Sequence, residues 1–488
     1  MTMIKVSNLT FSYPNHFENI FNQVNMQLDT DWKLGFIGRN GKGKTTFLKL
    51  LMGEYSYQGH ISSSVSFDYF PFEIKDRTKY SYEILEDIDS NYEMWRVQRE
   101  LSLLSQDEEV LYRPFESLSE GEQTKLMLAL LFSRDNYFLL IDEPTNHLDG
   151  GSRQVIKNYL SQKRGFILIS HDRDLLNACI DHVLCINNTK IEIQKGNYDT
   201  WKQNKDYEDQ YEWDQNEKLK KEIKHLTLAA RRTAGWADAV ERTKIGMGAG
   251  DRGYIGHKSA KMMKRAKNVE KRQNQTIEAK SKLLKNIDEA EVLSLQQLSF
   301  GGERLVNIQD LSIHYEEKKV LNQFNLVIEP GDRIAIQGKN GSGKSSLLKV
   351  LVGEHKNFRG TVYRAPGIKI SYVSQDTQFL KGNVKTYSEE RQIEESKLKS
   401  MLVKLGFSRI QLDKPMEDFS SGQKKKVLIA ASLCEESHLL IWDEPLNYMD
   451  VLSRLQIEEM ILAHQPTMIF VEHDLAFVEN IASKKIQL

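Results

Sequence analysis

Cysteine is scarce in this chain of 488 residues, which has only Cys179, Cys185 and Cys434. Three scattered cysteines are too few for an iron–sulfur or zinc framework, and an odd number does not suit a set of disulfides. Long apolar runs are also missing, since none approaches the roughly 18 to 20 residues that a membrane span needs. The first 14 residues form an alternating strand pattern rather than a signal peptide. These absences predict a cytosolic location and no membrane partner.

The sequence does contain one set of motifs that occurs twice. The first copy comprises Tyr13, Gly38, Ser119, Asp142 and His171, and the second comprises Tyr315, Gly338, Ser420, Asp443 and His473. The shift between the copies stays between 300 and 302 residues. A repeat this regular predicts two tandem domains of one fold. The chain is long enough for two large cores and a connecting segment.

Each copy has a glycine-rich loop between an apolar strand and a helix. In this context backbone N–H groups cradle phosphates, the lysine reaches the β and γ oxygens, and the hydroxyl after it meets Mg²⁺. The expected nucleotide contacts are Gly38, Asn40, Gly41, Gly43, Lys44, Thr45 and Thr46 in the first loop and Gly338, Asn340, Gly341, Gly343, Lys344, Ser345 and Ser346 in the second. One such loop could be a chance glycine turn. Two in register make that interpretation negligible and predict bound ATP.

Paired acids follow an apolar strand in each copy. They are Asp142-Glu143 and Asp443-Glu444. The first acid of each pair, with Thr45 or Ser345, is predicted to hold Mg²⁺, and the second to polarise the attacking water. A histidine follows the next strand in each copy, at positions 171 and 473. A lone histidine there is more often a structural group, but the recurrence of His171 and His473 favours a γ-phosphate sensor.

A third motif lies between loop and acids and opens a helical stretch. The two copies, Leu118–Gln123 and Phe419–Gln423, resemble the signature motif of the ATP-binding cassette family. The resemblance implies that two cassettes pack head to tail, each signature helix directing its positive N-terminus at the γ-phosphate held by the other cassette. One site then combines Lys44 with Ser420, Gly422 and Gln423, and the other combines Lys344 with Ser119, Gly121 and Glu122. Tyr13 and Tyr315 match the aromatic that stacks on adenine, although either alone could be an ordinary strand residue.

Two positions depart from the family pattern. Glu120 and Ser421 replace a glycine of the signature, which is tolerable because the flanking serine and glycine remain. The glutamine that links the metal to the helical subdomain is Gln375 in the second copy, whereas the first copy has Phe72. Either the site built on Lys44 is slower or differently coupled, or the replacement is neutral.

The segment between the two copies lacks nucleotide motifs. Apolar residues recur at helical spacing in both of its arms, at Leu219, Ile223 and Leu226 and at Met262, Ala266 and Val269. Five glycines between positions 246 and 256 break both helices. The pattern predicts an antiparallel helical hairpin whose arms of about 35 residues extend roughly 50 Å.

Positive charge is concentrated on this hairpin. Between positions 218 and 272 there are 16 Lys and Arg against 5 acids, although the whole chain has a net charge of −1. A charged run is usually a solvated helix face, but a basic hairpin beside an acidic remainder indicates contact with a phosphate backbone. Tyr254, His257 and Trp236 could stack on bases, which suits structured RNA. The residues expected to face RNA or tRNA at the tip, near 243–257, are Lys244, Arg252, Tyr254, Ile255 and His257.

Tandem cassettes and a long basic hairpin together resemble the ABC-F family of translation factors over the full chain. Segments 32–41, 112–115 and 441–448 read like those of its Lsa-type antibiotic-resistance proteins. The expected fold is therefore α/β, with a first P-loop cassette at 1–200, a helical hairpin linker at 201–298 and a second cassette at 299–488. The resemblance implies a monomer with intramolecular cassette pairing that binds the exit site of the 70S ribosome in its ATP form. Its hairpin, beside 23S rRNA, then pushes on the peptidyl-tRNA so that lincosamides, streptogramin A compounds or pleuromutilins are displaced, and hydrolysis resets the protein.

Three other functions remain open at this stage. A housekeeping ABC-F factor that acts on stalled ribosomes would have the same motifs. The soluble ATPase subunit of a transporter would have a short linker and a membrane partner. A DNA-maintenance ATPase would need a much longer coiled coil and paired cysteines for a zinc hook, which this sequence lacks.

Overall fold

The computed structural model describes residues 3–14, 19–146, 148, 150–187, 189–242, 264, 268, 271–272, 276, 293–315, 318–339 and 341–488. The chain divides into two compact units. Met1–Trp201 and Val292–Leu488, which hold the two cassettes, form one unit, and Lys202–Glu291 forms the other. No helix in the described part of the chain combines the length and the apolar character needed to cross a membrane.

The first cassette contains a small antiparallel sheet and a larger, mostly parallel sheet. Its strands are β1 (Met3–Phe11), β2 (Phe21–Asp29), β3 (Lys33–Ile37), β4 (Gln58–Ser62), β5 (Ser66–Phe70), β6 (Tyr137–Asp142), β7 (Phe166–Ile169), β8 (His182–Asn187) and β9 (Lys190–Lys195). Its helices are α1 (Lys44–Leu51), α2 (Ser81–Ile88), α3 (Met94–Leu103), α4 (Glu120–Ser133), α5 (Gly150–Ser161) and α6 (Arg173–Cys179). The small sheet has the order β2-β1-β4, and the large sheet has the order β5-β6-β7-β3-β8-β9. In the large sheet only the β8–β9 pairing is antiparallel.

The second cassette repeats this plan. Its strands are β10 (Val306–Tyr315), β11 (Lys318–Ile328), β12 (Arg333–Gln337), β13 (Phe358–Arg364), β14 (Ile370–Val373), β15 (Leu439–Asp443), β16 (Met468–Val471) and β17 (Lys484–Gln487). After the interdomain helix α7 (Tyr198–Arg242), its helices are α8 (Lys344–Val352), α9 (Val384–Glu390), α10 (Glu395–Lys404), α11 (Arg409–Leu412), α12 (Ser421–Cys434), α13 (Val451–His464) and α14 (Leu475–Ile481). The sheet orders are β11-β10-β13 and β14-β15-β16-β12-β17. The α/β fold with tandem cassettes is thus confirmed.

The central strands of the parallel sheets are largely apolar, with Asp142 and Asp443 at the ends of β6 and β15. All four residues of β7 and all five of β15 are buried, as expected for parallel strands covered on both faces. The ends of β6 and β7 are in register, since Asp142 pairs with Ile169. Because parallel strands end at the same edge of a sheet, the loops after β3, β6 and β7 meet there. These loops carry the predicted nucleotide residues.

The apolar cores extend across the junction of the cassettes. Val451, at the start of α13, is only 3 % exposed and packs into the hydrophobic cluster of the first cassette with Leu148 and Leu126. Burial of a valine side chain stabilises a fold by roughly 1.5 to 3 kcal/mol. Side-chain packing, in addition to polar contacts, therefore joins the cassettes.

The interdomain segment starts with a long helix. Helix α7 has 45 residues, which corresponds to about 67 Å. Its first turn is fixed in the first cassette by the buried side chains of Tyr198 and Trp201. At the other end, the second compact unit stops at Glu291, and Leu293 already belongs to a core of the second cassette. The predicted hairpin tip at 243–257 and the second-arm residues Met262, Ala266 and Val269 lie outside the described residues.

Candidate nucleotide sites

Both phosphate loops depend on glycines in left-handed backbone conformations. Gly43 has a φ of 101°, and a Cβ there would lie 2.5 Å from Ile20. Gly343 has a φ of 98°, and its Cβ would lie 2.6 Å from Val320. Each of these glycines caps the helix that starts with the predicted phosphate-binding lysine. Only glycine combines this conformation with so close an approach.

The two lysines are held in their loops by carbonyl groups. Lys44 Nζ donates to the Gly38 carbonyl at 2.6 Å and to Asn40 Oδ1 at 3.1 Å. Lys344 Nζ donates to the carbonyls of Gly338 at 2.8 Å and Lys339 at 2.9 Å. Both ammonium groups are thereby placed above the loop where phosphate oxygens are expected. Asn340 lies outside the described residues.

The residues predicted to hold Mg²⁺ lie together in each cassette. In the first, Thr45 Oγ1 donates to Asp142 Oδ2 at 2.8 Å, and the Tyr69 hydroxyl donates to the same oxygen at 3.1 Å. Burial raises the pKa of Asp142. In the second, burial raises the pKa of Asp443 to about 6, and the nearby Ser345 hydroxyl lowers it in part. Neither of the two buried carboxylate oxygens of Asp443 has a hydrogen bond of ordinary geometry. The buried Asp443 carboxylate, whose oxygens lack ordinary hydrogen bonds, fits a divalent cation, because hard cations prefer oxygen ligands.

The two predicted catalytic glutamates share a strained backbone. Glu143 has a φ of 51° and Glu444 a φ of 47°. Each is fixed by a backbone hydrogen bond to the end of the neighbouring strand, from Glu143 to Ile169 at 2.9 Å and from Glu444 to Val471 at 3.0 Å. A left-handed conformation in a non-glycine residue costs on the order of 1 to 3 kcal/mol and persists where the surroundings enforce it. In this conformation both carboxylates lie beside the histidine loops.

Each glutamate lies beside its predicted histidine. His171 Nε2 is 3.2 Å from Glu143 Oε1, and His473 Nε2 is 3.4 Å from Glu444 Oε1. Burial, followed by the positive charge of Lys44, holds the pKa of His171 well below its usual value. An unprotonated His171 can accept or relay a hydrogen bond next to the carboxylate.

The surroundings of the two glutamates differ at one amide. Gln375 Nε2 donates to Glu444 Oε2 at 2.9 Å. In the first cassette, Phe72 instead packs against the core of the helical subdomain, and the guanidinium of Arg134 lies 5.4 Å from its ring centroid. Burial and Asp142 raise the pKa of Glu143 to about 8. Burial alone would also raise the pKa of Glu444, but His473 and other polar neighbours including Gln375 lower it.

The signature motifs form helix caps of the same design. Ser119 Oγ accepts from the backbone N–H of Glu122 at 3.3 Å, and Ser420 Oγ accepts from that of Gln423 at 3.3 Å. In return, the side chains of Glu122 and Gln423 accept from the backbone N–H of the serines. The two capping boxes together occupy four side chains that were predicted to bind nucleotide, those of Ser119, Glu122, Ser420 and Gln423. Their contact with ATP stays a prediction.

The first phosphate loop touches the second cassette directly. Asn40 Nδ2 donates to the Tyr448 carbonyl at 2.9 Å. The signature glycine Gly422 lies beside this hydrogen bond. A Cβ atom on Gly422 would be 2.3 Å from the Tyr448 carbonyl oxygen and 3.5 Å from Asn40 Nδ2. The structure therefore brings the loop of Lys44 and the signature of the other cassette together, in the pairing that the sequence predicted.

Sequence reasoning missed Asp450, a central residue of this junction. Its carboxylate is fully buried, 2.8 Å from Lys426 Nζ, and it accepts from the Asn40 backbone N–H at 3.5 Å. Although burial opposes it, the charge of Lys426 holds the pKa of Asp450 far below its usual range. The internal repeat offered a signal, since Leu148-Asp149 precedes Met449-Asp450 by 301 positions. Asp149 itself lies outside the described residues.

Charged side chains from both cassettes also form a buried network. Arg173 lies 2.7 Å from Glu458 and 3.8 Å from Asp474, and Arg454 lies 3.3 Å from Asp474. All four side chains are less than 10 % exposed. The positive charge of Arg454 also lowers the pKa of Glu143, against the larger effect of burial. The network is thereby connected to the first site.

Of the two tyrosines predicted to stack on adenine, the structure describes the side chain of Tyr13 but not that of Tyr315. The Tyr13 hydroxyl is 2.8 Å from Thr46 Oγ1, next to the first phosphate loop, and its ring packs edge-on against Phe11 and Tyr55. The side chain of Tyr315 lies outside the description, as do the tip residues Lys244, Arg252, Tyr254, Ile255 and His257. Stacking on adenine stays a prediction for both tyrosines.

Comparison with known proteins agrees with this geometry. The family model described as "ABC transporter" matches residues 21–146 and 321–447, together more than half of the chain. The chain belongs to the ATP-binding cassette family. It is an ATPase that binds ATP, and its resemblance to the ABC-F branch of the family is confirmed.

Similar proteins align over nearly the whole chain. The ribosome protection protein VmlR of Bacillus subtilis is 28 % identical, with 97 % of this chain and 85 % of that protein covered. The probable ATP-binding protein YbiT of Escherichia coli O157:H7 is 25 % identical, with 100 % and 96 % covered. Among solved structures, the archaeal ribosome recycling factor aABCE1 in complex with the stalk protein aP1 has a TM-score of 0.62 at 19 % identity, with 98 % of this chain and 87 % of that chain covered. That likeness shows the fold alone.

Proposed function

We propose that this chain is an ATP-dependent ribosome-protection factor. One observation carries the proposal: the similarity to a protein named for ribosome protection covers 97 % of this chain, and so includes the interdomain segment as well as the cassettes. In the ATP-bound form the protein binds the exit site of the 70S ribosome. The hairpin then acts on peptidyl-tRNA next to 23S rRNA and displaces a drug from the peptidyl transferase centre.

ATP binding closes the junction between the cassettes. The first nucleotide lies between the loop of Lys44 and the signature residues Ser420 and Gly422, where Asn40 already contacts the Tyr448 carbonyl. By the internal symmetry, the second lies between the loop of Lys344 and the signature of the first cassette. A negative γ-phosphate at each helix N-terminus stabilises the closed arrangement. Nucleotide thus holds the two halves together.

The glutamates then set the lifetime of this closed form. In each site the carboxylate of Glu143 or Glu444 orients a water for attack on the γ-phosphate, and the adjacent histidine contacts that phosphate. Mg²⁺ would be held by Thr45 and Asp142 in one site and by Ser345, Gln375 and Asp443 in the other, where it would neutralise phosphate charge. Hydrolysis removes the part of the link between the cassettes that the nucleotide supplies, and the protein leaves the ribosome.

The hairpin is the part that reaches RNA. Sixteen basic residues against five acidic ones between positions 218 and 272 favour contact with a phosphate backbone. Helix α7 has 45 residues and a length of about 67 Å, which suits one arm of a long hairpin. Lincosamides, streptogramin A compounds and pleuromutilins are the proposed drugs, because all three follow from the resemblance to Lsa-type proteins.

Two alternative functions share part of this support. A housekeeping ABC-F factor would use the same cassettes and hairpin, and several similar proteins are named only as ATP-binding proteins. The ATPase subunit of a transporter is less well supported, because that function gives no reason for a basic segment of 90 residues between the cassettes.

Drug susceptibility distinguishes ribosome protection from the other two functions. A drug-sensitive bacterium is transformed with the chain, with its Glu143→Gln/Glu444→Gln variant and with empty vector, and inhibitory concentrations are measured for several peptidyl transferase inhibitors. Protection by the wild-type chain alone supports the proposal. Wild-type expression without any rise in inhibitory concentration, in cells where the protein is shown to accumulate, contradicts it.

A further inference from the structure

Lys425 is a buried lysine that the nucleotide motifs leave without a role. It follows the signature of the second cassette on helix α12 and is only 2 % exposed. Its Nζ donates to the Ser374 carbonyl at 2.7 Å and to the Asp443 carbonyl at 3.0 Å. The Gln375 carbonyl accepts from the same group at 3.5 Å. One ammonium group thus joins the end of strand β15 to the loop that carries Gln375.

Acidic groups surround this ammonium. Burial lowers the pKa of Lys425, and the carboxylates of Asp443, Glu472 and Glu444 are the main charges that oppose this effect. Glu472 is itself buried and accepts from the backbone N–H groups of Leu446 at 2.7 Å and His473 at 2.8 Å. A buried ammonium is tolerated only where charges and hydrogen bonds compensate it, as they do here.

The first site lacks the counterparts of Lys425, Glu472 and Gln375. Thr124 follows Gly121 by three residues, as Lys425 follows Gly422. Ser170 precedes His171 where Glu472 precedes His473. Phe72 occupies the position of Gln375. The buried lysine, its acidic neighbour and the loop glutamine are therefore all present in the second site and all replaced in the first.

We propose that Lys425 is a positioning residue for ATP hydrolysis at the second site. By tying the Gln375 loop to the end of β15, it keeps the Gln375 amide on the Glu444 carboxylate, where the two are 2.9 Å apart. Without Lys425 the loop gains freedom and Glu444 loses its orientation toward the water. This inference rests on the proposed assignment of hydrolysis to Glu444.

The test isolates each site with a glutamate variant. In a Glu143→Gln background only the second site turns over, and there Lys425→Met removes the ammonium while keeping an unbranched apolar stem of similar length. Lys424→Met, one position earlier on the same helix and only partly buried, is the matched control. Lys425→Arg restores positive charge and N–H donors. Steady-state ATP turnover and amide hydrogen exchange of residues 374–376 are measured for each protein.

We expect Lys425→Met to lower kcat about tenfold or more, because misplaced catalytic groups cost that much or more, while KM for ATP changes less than about twofold. Exchange of amides 374–376 should accelerate in Lys425→Met and stay unchanged in Lys424→Met, and Lys425→Arg should recover part of the rate. Unchanged kcat, unchanged exchange, or an equal loss in a Glu444→Gln background would each overturn the role of Lys425. Absence of any turnover in Glu143→Gln alone would instead refute the assignment of hydrolysis to the second site.

Discussion

The guanidinium of Arg173 in the first cassette lies 2.7 Å from the carboxylate of Glu458 in the second, and both side chains are less than 10 % exposed. This pair connects the helix after the His171 loop to helix α13, which begins directly after Asp450. The cassettes are thus joined by a buried ion pair in addition to the residues that flank the nucleotide sites. Removal of Arg173 takes this ion pair from the buried Glu458 carboxylate and leaves it the hydrogen bond from the Asn480 amide.

The first prediction concerns this ion pair. Arg173→Met should destabilise the protein by about 3 to 5 kcal/mol, because the buried Glu458 carboxylate loses its ion-pair partner. The double variant Arg173→Met/Glu458→Gln should recover part of that loss. Thermal unfolding checks both, with Lys399→Met as a control, because its i,i+4 pair with Glu395 is one-third exposed on each side and such surface pairs contribute little to stability. Equal losses in the single and double variants would rule out the pairing as the cause.

The second prediction follows from the different neighbours of the two glutamates. Glu444 is oriented by the Gln375 amide, whereas Phe72 in the first cassette packs into the apolar core. The second site should therefore be the faster one, so that Glu444→Gln lowers ATP turnover by a larger factor than Glu143→Gln. Phosphate release by the two purified variants checks it, and equal rates would show that Phe72 is a neutral replacement.

The third prediction compares the two signature glycines. A Cβ at Gly422 would lie 2.3 Å from a backbone oxygen of Tyr448, whereas one at Gly121 would lie 2.8 Å from the rotatable hydroxyl of Ser152. Gly422→Ala must therefore shift the backbone at the junction, at a cost of about 1 to 3 kcal/mol. ATP turnover should fall clearly more in Gly422→Ala than in Gly121→Ala. The opposite order would mean that the junction is not formed as described.

The fourth prediction places drug protection in the hairpin tip. Arg252→Ala and Tyr254→Ala should lower inhibitory concentrations in cells, because these side chains can meet RNA phosphate and bases. Ribosome-free ATP turnover should barely change, since the nucleotide residues all lie within the cassettes. Changes in the length of the loop 246–256 should alter which drugs are resisted. Parallel losses of turnover and resistance, or full resistance after deletion of this loop, would exclude the hairpin as the effector.

The nucleotide loops and paired acids were predictable because their chemistry is local: a strand, a glycine turn and a helix place Lys44 or Lys344 without help from distant residues. The tandem fold was predictable because the motifs repeat at a constant shift. Apart from the pairing of the Lys44 loop with the signature of the other cassette, the side-chain contacts between the halves were not predictable. Asp450 meets Asn40, and Arg173 meets Glu458, across 410 and 285 positions of sequence, and no local pattern marks such pairs. The use of Glu122 as a helix cap was marked by the capping-box spacing from Ser119, but the same residue also fits the cassette signature, which predicts a nucleotide contact.

The fifth prediction concerns the ATP-bound form on the ribosome. Glu143→Gln/Glu444→Gln retains the groups that bind nucleotide but loses the carboxylates that orient water, so it should stay closed once ATP is bound. Without hydrolysis, a closed protein has no step that releases it.

The decisive measurement is sedimentation of this double variant with 70S ribosomes through a sucrose cushion, with ATP, with ADP and without nucleotide. Ribosome protection predicts that the double variant pellets with the ribosomes in ATP, that the wild-type chain pellets much less, and that neither does so in ADP. A double variant that binds ATP but remains in the supernatant would contradict the proposed function.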